Sequence, residues 1–264
     1  MGLFQQETQI EKVADNRWLS AFSDNWCIGD VPNGGYIMAI AAKVLSEALP
    51  HKDPLSVSAF YMAPTQVGPV ECEVEELRSG GSTSFAMVRM YQQGELKVQV
   101  TAAFTDFERV HGETQLLVKP ATQLTTEECA LLSPAPHVKM GRHVHQWVIP
   151  GQEQSFLGKP QGDGRWDGWI DFRDDNPVDV FALLCFSDAF PPPAFTYYGP
   201  TGWVPTVELT VQVRARPAPG PIQCQFTSRM MTDGITEEDG IMWDSEGELV
   251  AISRQTAKFR LPKQ

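Results

Sequence analysis

Two polar side chains in the second half of the sequence stand where a polar group is costly, and a third stands on the strand between them. Asp188 closes an apolar stretch; on a helix its i−4 and i−3 neighbours are Leu184 and Cys185, with Phe181 a turn further back. Its carboxylate would then lie along an apolar stripe, an expensive place for a charge. Such a carboxylate is suited to general-base work on a water; the plainer reading is a frayed helix end whose oxygens reach solvent or the 190–196 loop. Gln255 falls, by strand parity, with Leu249, Ala251, Ser253, Ala257 and Phe259, while Arg254, Thr256, Lys258 and Arg260 take the other face. An amide on the less polar face has to be hydrogen-bonded, either in an ordinary buried network or to a water held for reaction. Thr206 shares its parity with Glu208, Thr210 and Gln212 rather than with Val207, Leu209, Val211 and Val213, so it reads equally as a β-former on a polar face or as a hydroxyl that helps to place a water.

Other groupings carry less chemistry. His143-Val144-His145 puts two imidazoles on one strand face, but no nearby Cys or acidic pair completes a metal set, and neither a metal nor another cofactor is expected. The acidic stretch from Asp171 to Asp175 lacks the alternation and glycine of a calcium loop. No Gly-x-Ser-x-Gly elbow is present, which disfavours an α/β-hydrolase. Five cysteines (Cys27, Cys72, Cys129, Cys185 and Cys224) without close spacing suggest neither disulfides nor a zinc site.

The elements that position these residues come from an internal repeat. Gly68-Pro69-Val70-Glu71-Cys72-Glu73-Val74 returns 152 residues later as Gly220-Pro221-Ile222-Gln223-Cys224-Gln225-Phe226, and Gly94-Glu95-Leu96 returns 153 residues later as Gly247-Glu248-Leu249. In the first half, Ile37, Ile40, Ala41, Val44, Leu45 and Ala48 recur at helical spacing within 35–49. Strands follow at 56–62, 70–78, 84–92 and 97–106. The second half repeats the order: a Trp-rich extended region, an apolar helix over 178–190 stopped by Pro191-Pro192-Pro193, then strands at 203–214, 222–231, 240–244 and 248–260. A helix before four antiparallel strands, twice, is an α+β pattern. A Thr-, Pro- and Leu-rich stretch over 113–140 reads as the connection.

The 264 residues fall between one domain and two on length alone. With 33 acidic against 21 basic residues the net charge is −12, so nucleic acid is a poor partner. The longest unbroken apolar run, Val180 to Phe186, falls far short of the roughly 18 residues that a membrane helix needs, and the first residues carry no basic leader pattern. A cytoplasmic protein is expected.

The chain resembles the acyl-CoA thioesterase II family and its thioesterase-like relatives. The resemblance rests on Pro32-Asn33-Gly34-Gly35-Tyr36, on the run from Ser56 to Pro64, on the run from Val74 to Gly80 with Ser84-Phe85, and on Ala102-Ala103-Phe104. In the second half it rests on Ser187-Asp188, Val204-Pro205-Thr206-Val207 and the run from Glu248 to Gln255. It implies a double hotdog, two helix-on-antiparallel-sheet units fused in one chain, with an N-terminal hotdog over 1–115, a linker over 116–140 and a C-terminal hotdog over 141–264. It implies hydrolysis of acyl-CoA to free acid and coenzyme A, with Asp188, Thr206 and Gln255 jointly orienting a water and the backbone at Gly34 and Gly35 receiving the oxyanion. It further implies a homo-oligomer of dimer size or higher. A histidine that relatives carry after the threonine is replaced here by Glu208-Leu209, which keeps open a non-catalytic module that binds acyl thioesters or serves assembly. Dehydratase chemistry of related hotdogs is disfavoured because neither expected helix holds a histidine. Met38, Phe60, Met62 and Phe195 are candidate acyl-tunnel walls as well as candidate core. Arg78, Arg214 and Arg216 are candidate contacts for the coenzyme phosphates as well as ordinary surface.

Overall fold

A computed structural model describes residues 1–200 and 202–260; the last four residues of the expected second unit lie outside them. The first half contains strands β1 (Glu11–Ala14) and β2 (Arg17–Phe22), helix α1 (Gly34–Ala48), and strands β3 (Asp53–Tyr61), β4 (Gly68–Ser79), β5 (Ser84–Gln92) and β6 (Glu95–Thr105). The second contains β7 (Val144–Val148), β8 (Arg165–Phe172), helix α2 (Val180–Phe186), β9 (Thr206–Val213), β10 (Ile222–Thr227), β11 (Ile235–Trp243) and β12 (Leu249–Lys258). Among the described residues the strands form one 14-stranded sheet in the order β1-β2-β4-β5-β6-β3-β9-β12-β11-β10-β8-β7. Ala130–Leu131 extends it beside β7, and Met231–Thr232 pairs with β11. Every pairing is antiparallel, and outward from the β3–β9 joint the two arms carry equivalent strands in the same sequence. This is the α+β double hotdog.

The repeat has a conformational basis. Gly68 opens β4 and Gly220 stands just before the equivalent β10, at φ +124° and +123°, and Gly94 and Gly247 stand just before the last strand of each half at φ +77° and +84°. All four lie in backbone territory that favours glycine, so the echo marks four turns that the backbone cannot make cheaply with another residue.

Helix α1 is the core of the first half. Asn33 caps it, its side chain accepting the Tyr36 amide at 3.0 Å, and Ile37, Met38, Ile40, Ala41, Val44 and Leu45 are essentially inaccessible. Each large aliphatic buried in this way contributes about 1.5–3 kcal/mol. Helix α2 starts where the Asp179 carboxylate accepts the Phe181 and Ala182 amides at 2.9 and 2.8 Å. It ends at Phe186 rather than running to residue 190, so Asp188 lies in the turn beyond it. The expected strands at 203–214 and 240–244 are in fact Thr206–Val213 and the longer Ile235–Trp243. The connection is not free of the sheet: besides Ala130–Leu131, the Leu132 amide donates to the Gln146 carbonyl at 2.8 Å.

Candidate active site

Asp188 occupies the turn after α2, directly against the start of α1. Its Oδ2 accepts from Asn33 Nδ2 at 2.9 Å and from the Gly35 amide at 3.1 Å. Its Oδ1 accepts from Gln255 Nε2 at 2.5 Å and, more distantly, from Thr206 Oγ1 at 3.5 Å. Gln255 Nε2 also donates to Thr206 Oγ1 at 3.0 Å. The three residues singled out in the second half therefore converge, although Asp188 is 67 residues from Gln255 in sequence. Gln255 is buried, while Asp188 and Thr206 retain partial exposure, as groups that meet a water require.

Thr206 reaches this point through a local irregularity. Thr206 pairs with Ala257 on β12, whereas Glu208 pairs with Thr256, so a bulge at Val207 shifts the register. An extra residue reverses facing, and Thr206 joins Ala257 and Gln255 on the inner face while Glu208 and Thr210 stay outside. Uniform alternation had put Thr206 on the polar face, and the bulge is the reason that it is not there.

The Gly34-Gly35 pair is sterically dictated. A Cβ on Gly35 would lie 2.6 and 2.7 Å from the carbonyl oxygens of Cys185 and Leu184, and one on Gly34 would lie 2.9 Å from Asp188 Oδ2 and 3.0 Å from Tyr61 Cζ. Tyr61, on β3, closes this side by donating to the Gly34 carbonyl at 2.7 Å. The positive end of α1 thus points at a carboxylate from the other half of the chain, a favourable helix-terminus arrangement. Burial nevertheless pushes the Asp188 carboxyl above its ordinary range, against the hydrogen bonds from Gln255, Gly35, Gly34 and Thr206 that favour its ionised form. Burial and the neighbouring Asp188 and Glu208 charges likewise push the Tyr61 hydroxyl well above the usual range for a phenol.

Beyond Gly34 and Gly35, the first-half contribution was missed by reading for catalytic residue types. Asn33 caps α1 through Oδ1, while its Nδ2 serves Asp188 Oδ2 and, at 2.7 Å, the Asp188 carbonyl. Its 3 % exposure is what separates it from an ordinary cap. Glu238 was missed as well: it lies on β11 directly across from Gln255, on the inner face, and is 7 % exposed.

Several other expectations find different places. Phe60, paired with Glu208 on the outer face, and Met62, just past the end of β3, are half exposed, and Met38 takes the core alternative, wholly buried. Phe195 packs edge-on against Phe156. Arg216 is held by Asp53 at 2.9 Å and Glu108 at 2.5 Å, and Arg214 lies about 26 Å of extended strand away from Thr206. Arg78 is exposed on β4. The two imidazoles part company, His145 stacking on Trp147 and His143 facing Trp26.

Fold and site together define a double hotdog with one carboxylate-centred site at the contact of its two helices. The domain profile described as acyl-CoA thioesterase N-terminal domain matches residues 22–105, and the one described as acyl-CoA thioesterase C-terminal domain matches 121–259. The chain belongs to this acyl-CoA thioesterase family. A solved structure from Thermobifida fusca, provisionally described as a thioesterase II, is similar with a TM-score of 0.91 and 26 % identity, covering 98 % of each chain. A hotdog-fold protein of unknown function from Alicyclobacillus acidocaldarius is similar with a TM-score of 0.89 and 20 % identity over 100 % of both chains. A thioesterase-like protein of Talaromyces wortmannii is 22 % identical, the alignment covering 97 % of this chain and 91 % of the relative. Among the described residues no helix is long and apolar enough to cross a membrane.

Proposed function

We propose that the protein hydrolyses acyl-CoA thioesters to a free acid and coenzyme A. The observation that carries this reading is the meeting of Asp188, Thr206 and Gln255 around one carboxylate, on a residue that is itself partly exposed, whose proton affinity is raised. A raised carboxyl is a better base at neutral pH than an ordinary one, and the three polar groups supply fixed positions for a water.

In the proposed reaction Asp188 removes a proton from a water held by Thr206 and Gln255, and the oxygen attacks the thioester carbonyl carbon. Negative charge passes from the carboxylate to the carbonyl oxygen. As Asp188 becomes neutral, the Gly35 amide loses the charge that holds it, so the Gly34–Gly35 helix start becomes the donor for the oxyanion beside it. Collapse breaks the carbon–sulfur bond, and the thiolate takes up the proton that Asp188 received.

The test is release of free coenzyme A thiol from a panel of acyl-CoA chain lengths. Turnover is expected for the wild type, with a loss of about 10²–10⁴ in Asp188→Asn. Undiminished turnover in that variant would overturn the role of Asp188, and calorimetric binding of acyl-CoA without product would favour the non-catalytic binding module.

A further inference from the structure

Glu238 is a carboxyl group with no evident reason to be where it is. Its β11 neighbours Glu237 and Asp239 face the other way, where Arg229 and Arg254 pair with them. Glu238 turns inward with Thr236, Gly240 and Met242 and is more than nine-tenths buried. Among the described residues no hydrogen bond reaches its side chain. An unpaired ionised carboxylate in such a place is strongly disfavoured, whereas the neutral acid is not, and the neutral acid carries an O–H donor.

The residue directly opposite Glu238 is Gln255, on the same face of the adjacent strand. Side chains so paired have Cβ atoms about 4.5–5.5 Å apart, within reach of an acid and an amide. Gln255 uses Nε2 on Asp188 and on Thr206, which leaves Oε1 as an acceptor on the far side of the amide. Were the amide turned over, Oε1 would confront the Asp188 carboxylate and the arrangement would repel itself.

We propose that Glu238, as the neutral acid, donates a hydrogen bond to Gln255 Oε1 and thereby locks the amide with Nε2 toward Asp188 and Thr206. Glu238 is then a positioning residue: it acts on the reacting water only through Gln255. Burial, and after it the negative charges of Asp188, Glu237 and Asp239, holds its proton on well above the usual carboxylate range. The kinetic part of this inference rests on the hydrolase reading above, and the spectroscopic part does not.

Two variants and one spectrum test it. Glu238→Gln keeps a donor toward Oε1, and Glu238→Leu removes it while filling the space. Because an apolar side chain suits a buried site at least as well as a carboxyl does, Leu is expected to leave the urea midpoint no lower. Turnover of acyl-CoA is expected to fall about 10–100-fold in kcat for Leu, as for a mispositioned reacting group. KM is expected to change little, and Gln is expected to restore kcat to within about threefold of wild type. An undiminished kcat in Leu, or a Gln variant as slow as Leu, overturns the proposal. At pH 7 the infrared difference between wild type and Glu238→Gln is expected to show the carbonyl stretch of a protonated carboxylic acid. That band is expected to shift in Gln255→Ala. A missing or unshifted band overturns the proposal even if no acyl-CoA is turned over, the outcome that sinks the hydrolase reading on its own.

Discussion

At the scale of single residues the site is a contest between burial and donors. Asp188 collects hydrogen bonds from Gln255, Asn33 and Gly35, each favouring the carboxylate, yet desolvation wins and its pKa is raised. Since the base must be ionised to work, kcat/KM is expected to fall as pH drops through a limb lying above the ordinary carboxylate range. Gln255→Ala deletes the first of the groups that oppose burial, so the pKa should rise further and the limb should move to higher pH, besides a lower plateau. A kcat/KM profile against pH checks this, and a limb that stays put or moves down would show that the amide does not contact the carboxylate. The sign for stability is opposite to that for activity. A folded pKa above the unfolded one gives stability that is present at low pH and is lost as pH rises through the folded value. Of this site, Asp188 and Gln255 stood out in the sequence as polar groups in apolar patterns, but each kept an ordinary structural reading beside the catalytic one until the resemblance gave it a role. Thr206 was legible only through the resemblance, its alternation being reversed by a bulge that leaves no mark in the residues around Val207.

At the scale of elements the decisive contact is the start of α1 against the end of α2. The backbones approach so closely that a methyl group at Gly35 would press on two carbonyl oxygens of the opposing helix end. Gly35→Ala is therefore expected to cost about 1–3 kcal/mol by overpacking, read as a lower urea midpoint. It should also lower kcat, because Asn33 and the Gly35 amide are carried away from Asp188 by the same displacement. A variant of unchanged midpoint and unchanged kcat would mean that the two helix ends are not in contact. Sequence periodicity placed α1 within one residue of its observed bounds, since a long amphipathic helix has many positions voting for it. It overran α2 by four residues, because Ala189 and Phe190 keep helical spacing with Phe186 while the backbone has already turned. The strand expected from 203 overran in the same way, Trp203 to Pro205 being apolar outside the pairing, whereas β11 was cut short because the charged run Glu237 to Asp239 hides its alternation.

At the scale of the whole molecule the repeat makes a continuous sheet, and the site belongs to neither half. The residues proposed to handle the water all come from the second half, and on sequence alone the first half was expected to add only the Gly34–Gly35 backbone for the oxyanion. In the structure Asn33, Gly35 and Tyr61 of the first half close the site, and α1 supplies the positive helix end facing Asp188. The halves also share the β3–β9 pairing at the middle of the sheet, where Leu209 and Val211 lie opposite Ala59 and Val57, all four inaccessible. Cutting the chain within 116–140 and producing residues 141–264 alone would uncover β9 as an edge strand with an apolar inner face, a template for self-association. It would also leave Asp188 without two of its donors. That fragment is expected to lack thioesterase activity and to elute as aggregate or oligomer in size-exclusion chromatography, although it carries Asp188, Thr206 and Gln255. Co-production with residues 1–115 is expected to restore a complex with measurable turnover, because the β3–β9 pairing and the α1–α2 contact need no covalent link. Full activity in the second half alone would refute a site shared across the joint and return the first half to the role of a scaffold.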